Sequence, residues 1–211
     1  MGGMDEPADR LRLAVLISGG GRTLANLMNL ERAGLLPVRI VLVVSSREDS
    51  PGLEKARAAR IPTRVITRRG RSDADFNEQI TRAVDAARPG LVCMAGWLCP
   101  WRIPPHYENR VMNIHPALLP KFGGKGFYGR RVHEAVLAAG ERESGCTVHF
   151  ANDEYDAGPI ILQRRVPVLP GDTPDSLAAR VFEQECIAYP EAIRLYAAGR
   201  LAVENGRVVI R

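Results

Sequence analysis

The stretch LRLAVLISGGGRTLANLMNLERA, residues 11–33, decides the fold. Its first seven residues form a short apolar run of strand length. Ser18-Gly19-Gly20-Gly21 then turns the chain, and Leu24, Leu27, Met28 and Leu30 recur at helical spacing. A buried strand turning through glycines directly into a helix is the opening unit of a parallel α/β sheet. The alternation continues. VRIVLVV (38–44) reads as a buried strand, and SPGLEKARAAR (50–60) as a helix with a Ser cap and Pro at its first position. PTRVITR (62–68) reads as a third strand and SDADFNEQITRAVDAA (72–87) as a third helix. LVCMAG (91–96) and RVMNIH (110–115) follow as central strands. The expected fold is α/β, a doubly wound, mostly parallel sheet with helices on both faces.

The second half extends this pattern. RRVHEAVLAAG (130–140) predicts a helix ended by Gly140. CTVHF (146–150) and PIILQRRVPV (159–168) predict longer strands, paired antiparallel. Residues 172–199 predict a capped helix with an acidic first turn, kinked or restarted at Pro190. The tail RLAVENGRVVI (200–210) predicts a hairpin turning at Asn205-Gly206. The loop HPALLPKFGGKGFYG (115–129) is too long and Gly-rich for a simple connector and marks the internal boundary. The organisation expected is a disordered leader (1–10) and a single domain (11–211). Within that domain, residues 11–110 form a Rossmann-like half and 111–211 a second half.

Composition narrows the function. The chain has 211 residues, 45% of them hydrophobic, enough for one sizeable core. No stretch approaches the roughly 18 consecutive apolar residues of a membrane span. MGGMDEPADR (1–10) is polar and carries acids, unlike a signal peptide. Cys93, Cys99, Cys146 and Cys186 lie far apart with no C-x-x-C pair, which argues against a disulfide framework or a zinc site and for the reducing cytoplasm. The net charge of +5 comes almost wholly from Arg interleaved with acids, as in ERAGLL (31–36). That pattern is a mixed-charge surface rather than a nucleic-acid stripe, and it leaves a polyanionic ligand open.

Three places can carry chemistry. The turn Gly19-Gly20-Gly21-Arg22-Thr23 opens a helix, whose free N–H groups and dipole suit a phosphate monoester. It lacks the G-x-G-x-x-G and P-loop patterns, and a tight turn without a ligand is the lesser alternative. Asn113 and His115 alternate onto one face at the end of a central strand, where α/β sheets bind ligands. They read either as a catalytic pair or as structural polar residues. His106 and His133 read as surface or loop residues and His149 as a strand residue. The segment from Asn152 to Pro159 carries Asp153, Glu154 and Asp156 and is either an ordinary acidic loop or the source of a carboxylate. Near His115, such a carboxylate would raise the imidazole pKa and fix its tautomer.

Taken in order, the Gly-rich turn, NIHPALLPK (113–121) and DEYDAGPII (153–161) resemble the phosphoribosylglycinamide formyltransferase family over residues 11–200 or so. The resemblance implies that Asn113, His115 and Asp156 form the catalytic trio. It implies that Gly21, Arg22 and Thr23 hold a substrate phosphate and that Glu185 binds ribose hydroxyls. The folate pterin would lie against Leu98, Cys99, Pro100 and Trp101 and against Asn152, Asp153, Glu154 and Tyr155. The implied reaction is direct formyl transfer from 10-formyltetrahydrofolate to glycinamide ribonucleotide, with no metal and no covalent enzyme intermediate. The implied partners are small molecules, with no nucleic acid and no membrane, and the chain would act as a monomer or homodimer. Arg22, Cys99 and Phe182 depart from the residues usual in the family, as does the run from Gly123 to Ala135. Related methionyl-tRNA formyltransferases and formyltetrahydrofolate hydrolases would carry a further domain after or before this one, so a chain of 211 residues is expected to be neither.

Overall fold

The structure, a computed structural model, describes residues 10–211. The expected leader, apart from Arg10, lies outside the described residues. The chain runs β1 (Leu11–Ile17), α1 (Arg22–Arg32), β2 (Val38–Ser45), α2 (Pro51–Ala58), β3 (Thr63–Val65), α3 (Asp73–Ala87) and β4 (Leu91–Met94). It continues β5 (Val111–His115), α4 (Arg130–Ala138), β6 (Glu143–Phe150), β7 (Ile160–Pro167), α5 (Pro174–Ala197), β8 (Leu201–Glu204) and β9 (Arg207–Ile210). Seven strands form one sheet in the order β3-β2-β1-β4-β5-β6-β7, and β8 and β9 pair separately. The pairs from β3 through β5 are parallel, while β6 and β7 run antiparallel.

Strand alternation explains the layers. Leu13, Val15 and Ile17 of β1 enter one buried cluster with Leu24 and Leu27 of α1 and Leu177, Val181 and Ile193 of α5. Ala14 and Leu16 face the other way, into a cluster with Phe76, Ile80 and Val84 of α3. Both faces of β1 are therefore covered, as its buried apolar run from Leu13 to Ile17 requires. After β1 the chain moves outward to β2 and β3, then returns to place β4 on the other side of β1. This reversal opens a crevice beyond the carboxyl ends of β1 and β4, the place where such sheets bind ligands.

Several local expectations are corrected. β3 covers only Thr63–Val65 because it is an edge strand with one neighbour. Ser50 stands at the N-cap of α2, but its hydroxyl does not cap; it donates to the Gly19 carbonyl at 2.6 Å. That bond pins α2 to the glycine turn, where a Cβ on Gly21 would stand 2.7 Å from the Gly52 Cα. Helix α5 neither restarts nor ends at Pro190: the stretch Ala188–Pro190 and Ala192–Ile193 is buried against the sheet, so packing sustains the helix through the missing amide. His133 is buried on α4, not at the surface. Among the described residues no helix is long and apolar enough to cross a membrane.

Tyr189 of α5 links helix to sheet. It is fully buried, and its hydroxyl proton is shared between the carbonyls of Met94 (3.0 Å) and Met112 (2.9 Å), on the neighbouring strands β4 and β5. Both carbonyls also sit in the β4–β5 ladder, so removing the hydroxyl loses one shared buried hydrogen bond, at about 0.5–1.5 kcal/mol. Tyr189→Phe is expected to lower unfolding free energy by about that amount in urea titration. Unchanged stability would contradict a structural role for the bond.

Candidate active site

The glycine turn forms one end of the crevice. Gly21 caps α1 in the left-handed region (φ 65°) with no side-chain cap, so the first amides of the helix are left for a ligand or water. Ser18 organises the turn: its amide donates to the Gly96 carbonyl (3.0 Å), and its hydroxyl accepts from the Leu98 amide (2.9 Å) and the Ser46 hydroxyl (2.7 Å). The Gly96–Leu98 segment is thereby held against the start of α1. Asn26 ties α1 to α5 by donating to the Cys186 carbonyl at 3.0 Å. Next to that tie, the Arg22 guanidinium lies 3.7 Å above the Phe182 ring. Glu185, one turn further along α5, is pushed by burial to a pKa of about 7, partly offset by the Arg22 charge.

Asp156 forms the centre. Asn113 Nδ2 donates to Asp156 Oδ1 at 3.3 Å and lies 3.2 Å from His149 Nε2. Asp156 Oδ2 accepts the Gly124 amide at 2.9 Å and stands 3.4 Å from His115 Nδ1. His115 Nε2 donates to the Phe122 carbonyl at 2.8 Å. Because a carbonyl only accepts, Nε2 carries the proton of the neutral ring, and Nδ1 gains one only as imidazolium, facing Asp156. Asp156 and Phe122 both sit at φ 56°, a left-handed conformation uncommon outside glycine and a feature of functional sites. Gly158 keeps the Asp156 loop close to β6; a Cβ there would stand 1.8 Å from the Phe150 carbonyl oxygen.

The electrostatics correct one expectation. Burial pushes the His115 pKa below its ordinary value, and Asp156 and the Phe122 carbonyl only partly restore it. The net direction is down, so the free protein holds a neutral imidazole near pH 7. Burial alone would raise the Asp156 pKa. His149, the His115 charge and the Gly124 amide together outweigh it and keep the carboxyl below its usual value.

A cleft of about 770 Å³ joins these parts. Thr23 and Glu185 lie along it, together with Asn113, His115 and Asp156. Leu98, Cys99, Pro100 and Trp101 line it too, as do Asn152, Asp153, Glu154 and Tyr155. The last two groups are tied together where Asp153 Oδ1 accepts the Ile103 amide at 3.1 Å. Trp101 offers only an edge, its ring being buried and its Nε1 donating to Thr81. Gly21 and Arg22 sit beside the lining rather than in it.

Residues 11–193 match the family model described as formyl transferase. The chain belongs to that family. It is 35% identical over 198 residues to the phosphoribosylglycinamide formyltransferase of Haemophilus influenzae, covering 92% of this chain and 91% of that protein. It is 41% identical over 204 residues to the trifunctional purine biosynthetic protein adenosine-3 of Gallus gallus, covering 95% of this chain but only 20% of that much longer protein. A crystal structure of glycinamide ribonucleotide transformylase 1 from Symbiobacterium toebii superposes with a TM-score of 0.89 at 39% identity, covering 99% of this chain and 98% of that one.

Three features of this formyl transferase fold at the site escape a reading of the sequence. His149, expected only as a strand residue, stands opposite Asn113 in the β5–β6 register and completes the polar cluster. Gly124 and Phe122 contribute backbone groups, which leave no mark in residue types. Antiparallel register is the one signal that could have exposed His149, and it depends on the long 115–129 loop. The His115 ring resonances, followed by NMR, are expected to titrate below the ordinary histidine pKa near 6.5. They should titrate lower still in Asp156→Asn, because the carboxylate is what raises the value. An unchanged midpoint in that variant would contradict the coupling.

Proposed function

We propose that this cleft transfers a formyl group from 10-formyltetrahydrofolate to the amine of glycinamide ribonucleotide, a step of purine biosynthesis. One observation carries the reading: a single carboxylate gathers an amide donor, two imidazoles and a backbone amide in one cleft with the start of α1 and an apolar, acid-edged wall. Residues 11–110 supply the phosphate-holding half and residues 111–211 the catalytic half. On this reading the protein works in the cytoplasm on small molecules, as a monomer or homodimer.

The lining fits a reduced folate. A volume of about 770 Å³ lies within the range of small-molecule sites, and Leu98 stands half exposed in it beside Cys99 and Pro100. Asn152, Asp153 and Glu154 add the polar groups a pterin edge requires. The folate supplies an activated formyl group; everything else falls to the chain's own residues. The amides opening α1, with Arg22 and Thr23, hold the phosphate. Glu185, when ionised, accepts from the sugar hydroxyls.

Asn113 then turns an N–H toward the formyl oxygen as that oxygen gains negative charge, a contribution of about 3 kcal/mol for one well-placed donor. His115 enters neutral, takes the amine proton at Nδ1 beside Asp156, and returns it to the departing nitrogen. Such proton transfer contributes roughly a hundred- to ten-thousand-fold. The converging groups are Asn, His and Asp, and among the described residues no serine or cysteine lining the cleft is hydrogen-bonded to a base, so on this reading the amine attacks directly.

The test mixes protein, 10-formyltetrahydrofolate and glycinamide ribonucleotide, and follows deformylated folate by absorbance. Release is expected only with the nucleotide; release without it would mean a hydrolase, and none at all would overturn the reading. His115→Ala is expected to lower kcat by roughly a hundredfold or more with the nucleotide KM little changed. Glu185 titrates at about 7, so the nucleotide KM should rise as pH falls through that value, and the rise should vanish in Glu185→Gln. A pH-dependent KM persisting in that variant would remove Glu185 from the sugar site.

A further inference from the structure

The transfer site leaves most of the protein's basic charge without a role. At the opposite end of the sheet, where β1, β4 and β5 begin, lies a second cleft of about 590 Å³. Five arginines line it: Arg10, Arg12, Arg88, Arg110 and Arg194. Among the described residues none of the five forms an ion pair with a carboxylate; three bond to backbone carbonyls instead. Arg12 donates to the carbonyls of Arg88 (3.0 Å) and Ala87 (2.7 Å). Arg110 donates to those of Pro89 (2.9 Å), Gly90 (3.3 Å) and His106 (3.3 Å), and Arg194 to that of Leu35 (3.2 Å). The Arg10 and Arg88 side chains make no hydrogen bond among the described residues.

Carbonyl contacts fix guanidinium groups in place without neutralising them. Among the described residues Glu31 senses Arg10, and Asp85 holds the Tyr107 hydroxyl at 2.8 Å while Arg110 lies over that ring. Burial raises the Glu31 pKa, while the Ile40 amide on its Oε1 at 3.1 Å and the Arg10 charge favour its ionised form, so it counts as one counter-charge. Helices α3 and α5 end here, and their carbonyl ends contribute roughly half a negative charge each. Together with Glu31 they offset about two of the five cations. The remainder is a pre-positioned cationic concavity of nucleotide scale. Arginine forks match phosphate oxygens in bidentate geometry, and this much charge exceeds what a single monoester neutralises. A concave cleft, not a stripe along a face, favours a compact anion over a nucleic-acid backbone.

We propose that this second cleft binds a compact polyphosphate anion, free or as the polyphosphate end of a nucleotide. The full chain is titrated calorimetrically at low salt with inorganic tripolyphosphate, ATP and adenosine. The same titrations are run on Arg10→Ser/Arg88→Asn and on Arg22→Ala. Asn suits position 88, whose φ is 47°. Tripolyphosphate should bind the double variant at least about tenfold more weakly, the loss of two charge-assisted contacts. Arg22→Ala, altered only at the transfer site, should bind as the parent does. Equal affinity for tripolyphosphate and ATP with none for adenosine identifies the phosphate chain as what is read; ATP binding more than about tenfold tighter identifies a nucleotide. In the parent chain the amide NMR signals of Gly90 and Ala198 should shift on adding tripolyphosphate, a readout that stands if the double variant fails to fold. The proposal is overturned if tripolyphosphate does not saturate a site, if the double variant binds unchanged, if Gly90 and Ala198 do not respond, if Arg22→Ala abolishes binding, or if duplex DNA displaces tripolyphosphate at equal phosphate concentration.

Discussion

The site depends on one carboxylate. Asp156 accepts from Asn113 on one oxygen and from the Gly124 amide on the other, where it also faces His115. Three separate pieces of chain meet there: the end of β5, the glycine-rich loop after it, and the turn between β6 and β7. A buried carboxylate is tolerated only when its oxygens are satisfied, so the loop and the turn are held in place by the same bonds that arrange the chemistry. The left-handed backbone at Asp156 and Phe122 is sustained by those bonds.

The parallel sheet supplies the position. The chain reverses its order at β1, which puts the glycine turn and the Gly96–Leu98 segment at one crevice. Tyr189 ties β4 to β5 from the helix side, and β6 returns antiparallel to bring His149 opposite Asn113. Burial then sets the protonation states. It holds His115 neutral and lifts Glu185 to about 7, while Asp156 stays ionised because His149, the His115 charge and the Gly124 amide outweigh burial. Neighbouring groups with pKa values moved in different directions are what acid–base transfer at neutral pH requires.

Much of this was legible in the chain. Residues 11–33 alone announce strand, glycine turn and helix, and the apolar β1 residues alternate into two clusters as a doubly wound sheet demands. Asn113 and His115 converge as their spacing of two predicts. What the sequence concealed is tertiary. Ser50 has the residue type and position of a cap, but a carbonyl of the glycine turn competes for its hydroxyl. Pro190 looks like a break, yet burial of its neighbours carries the helix through. His133 follows an exposed-looking Arg pair and is nevertheless buried, since α4 turns that face toward His115. The carboxylate beside His115 suggested a raised pKa; desolvation, invisible without the fold, is the larger effect.

The central claim, that Asp156 works in catalysis as well as holding the loops, is tested most directly by kcat of Asp156→Asn, measured on protein whose folding is verified by urea unfolding. The account predicts a loss of roughly a hundredfold or more, since an amide neither stabilises an imidazolium at Nδ1 nor accepts at both positions. A folded Asp156→Asn protein that kept near-full turnover would contradict it.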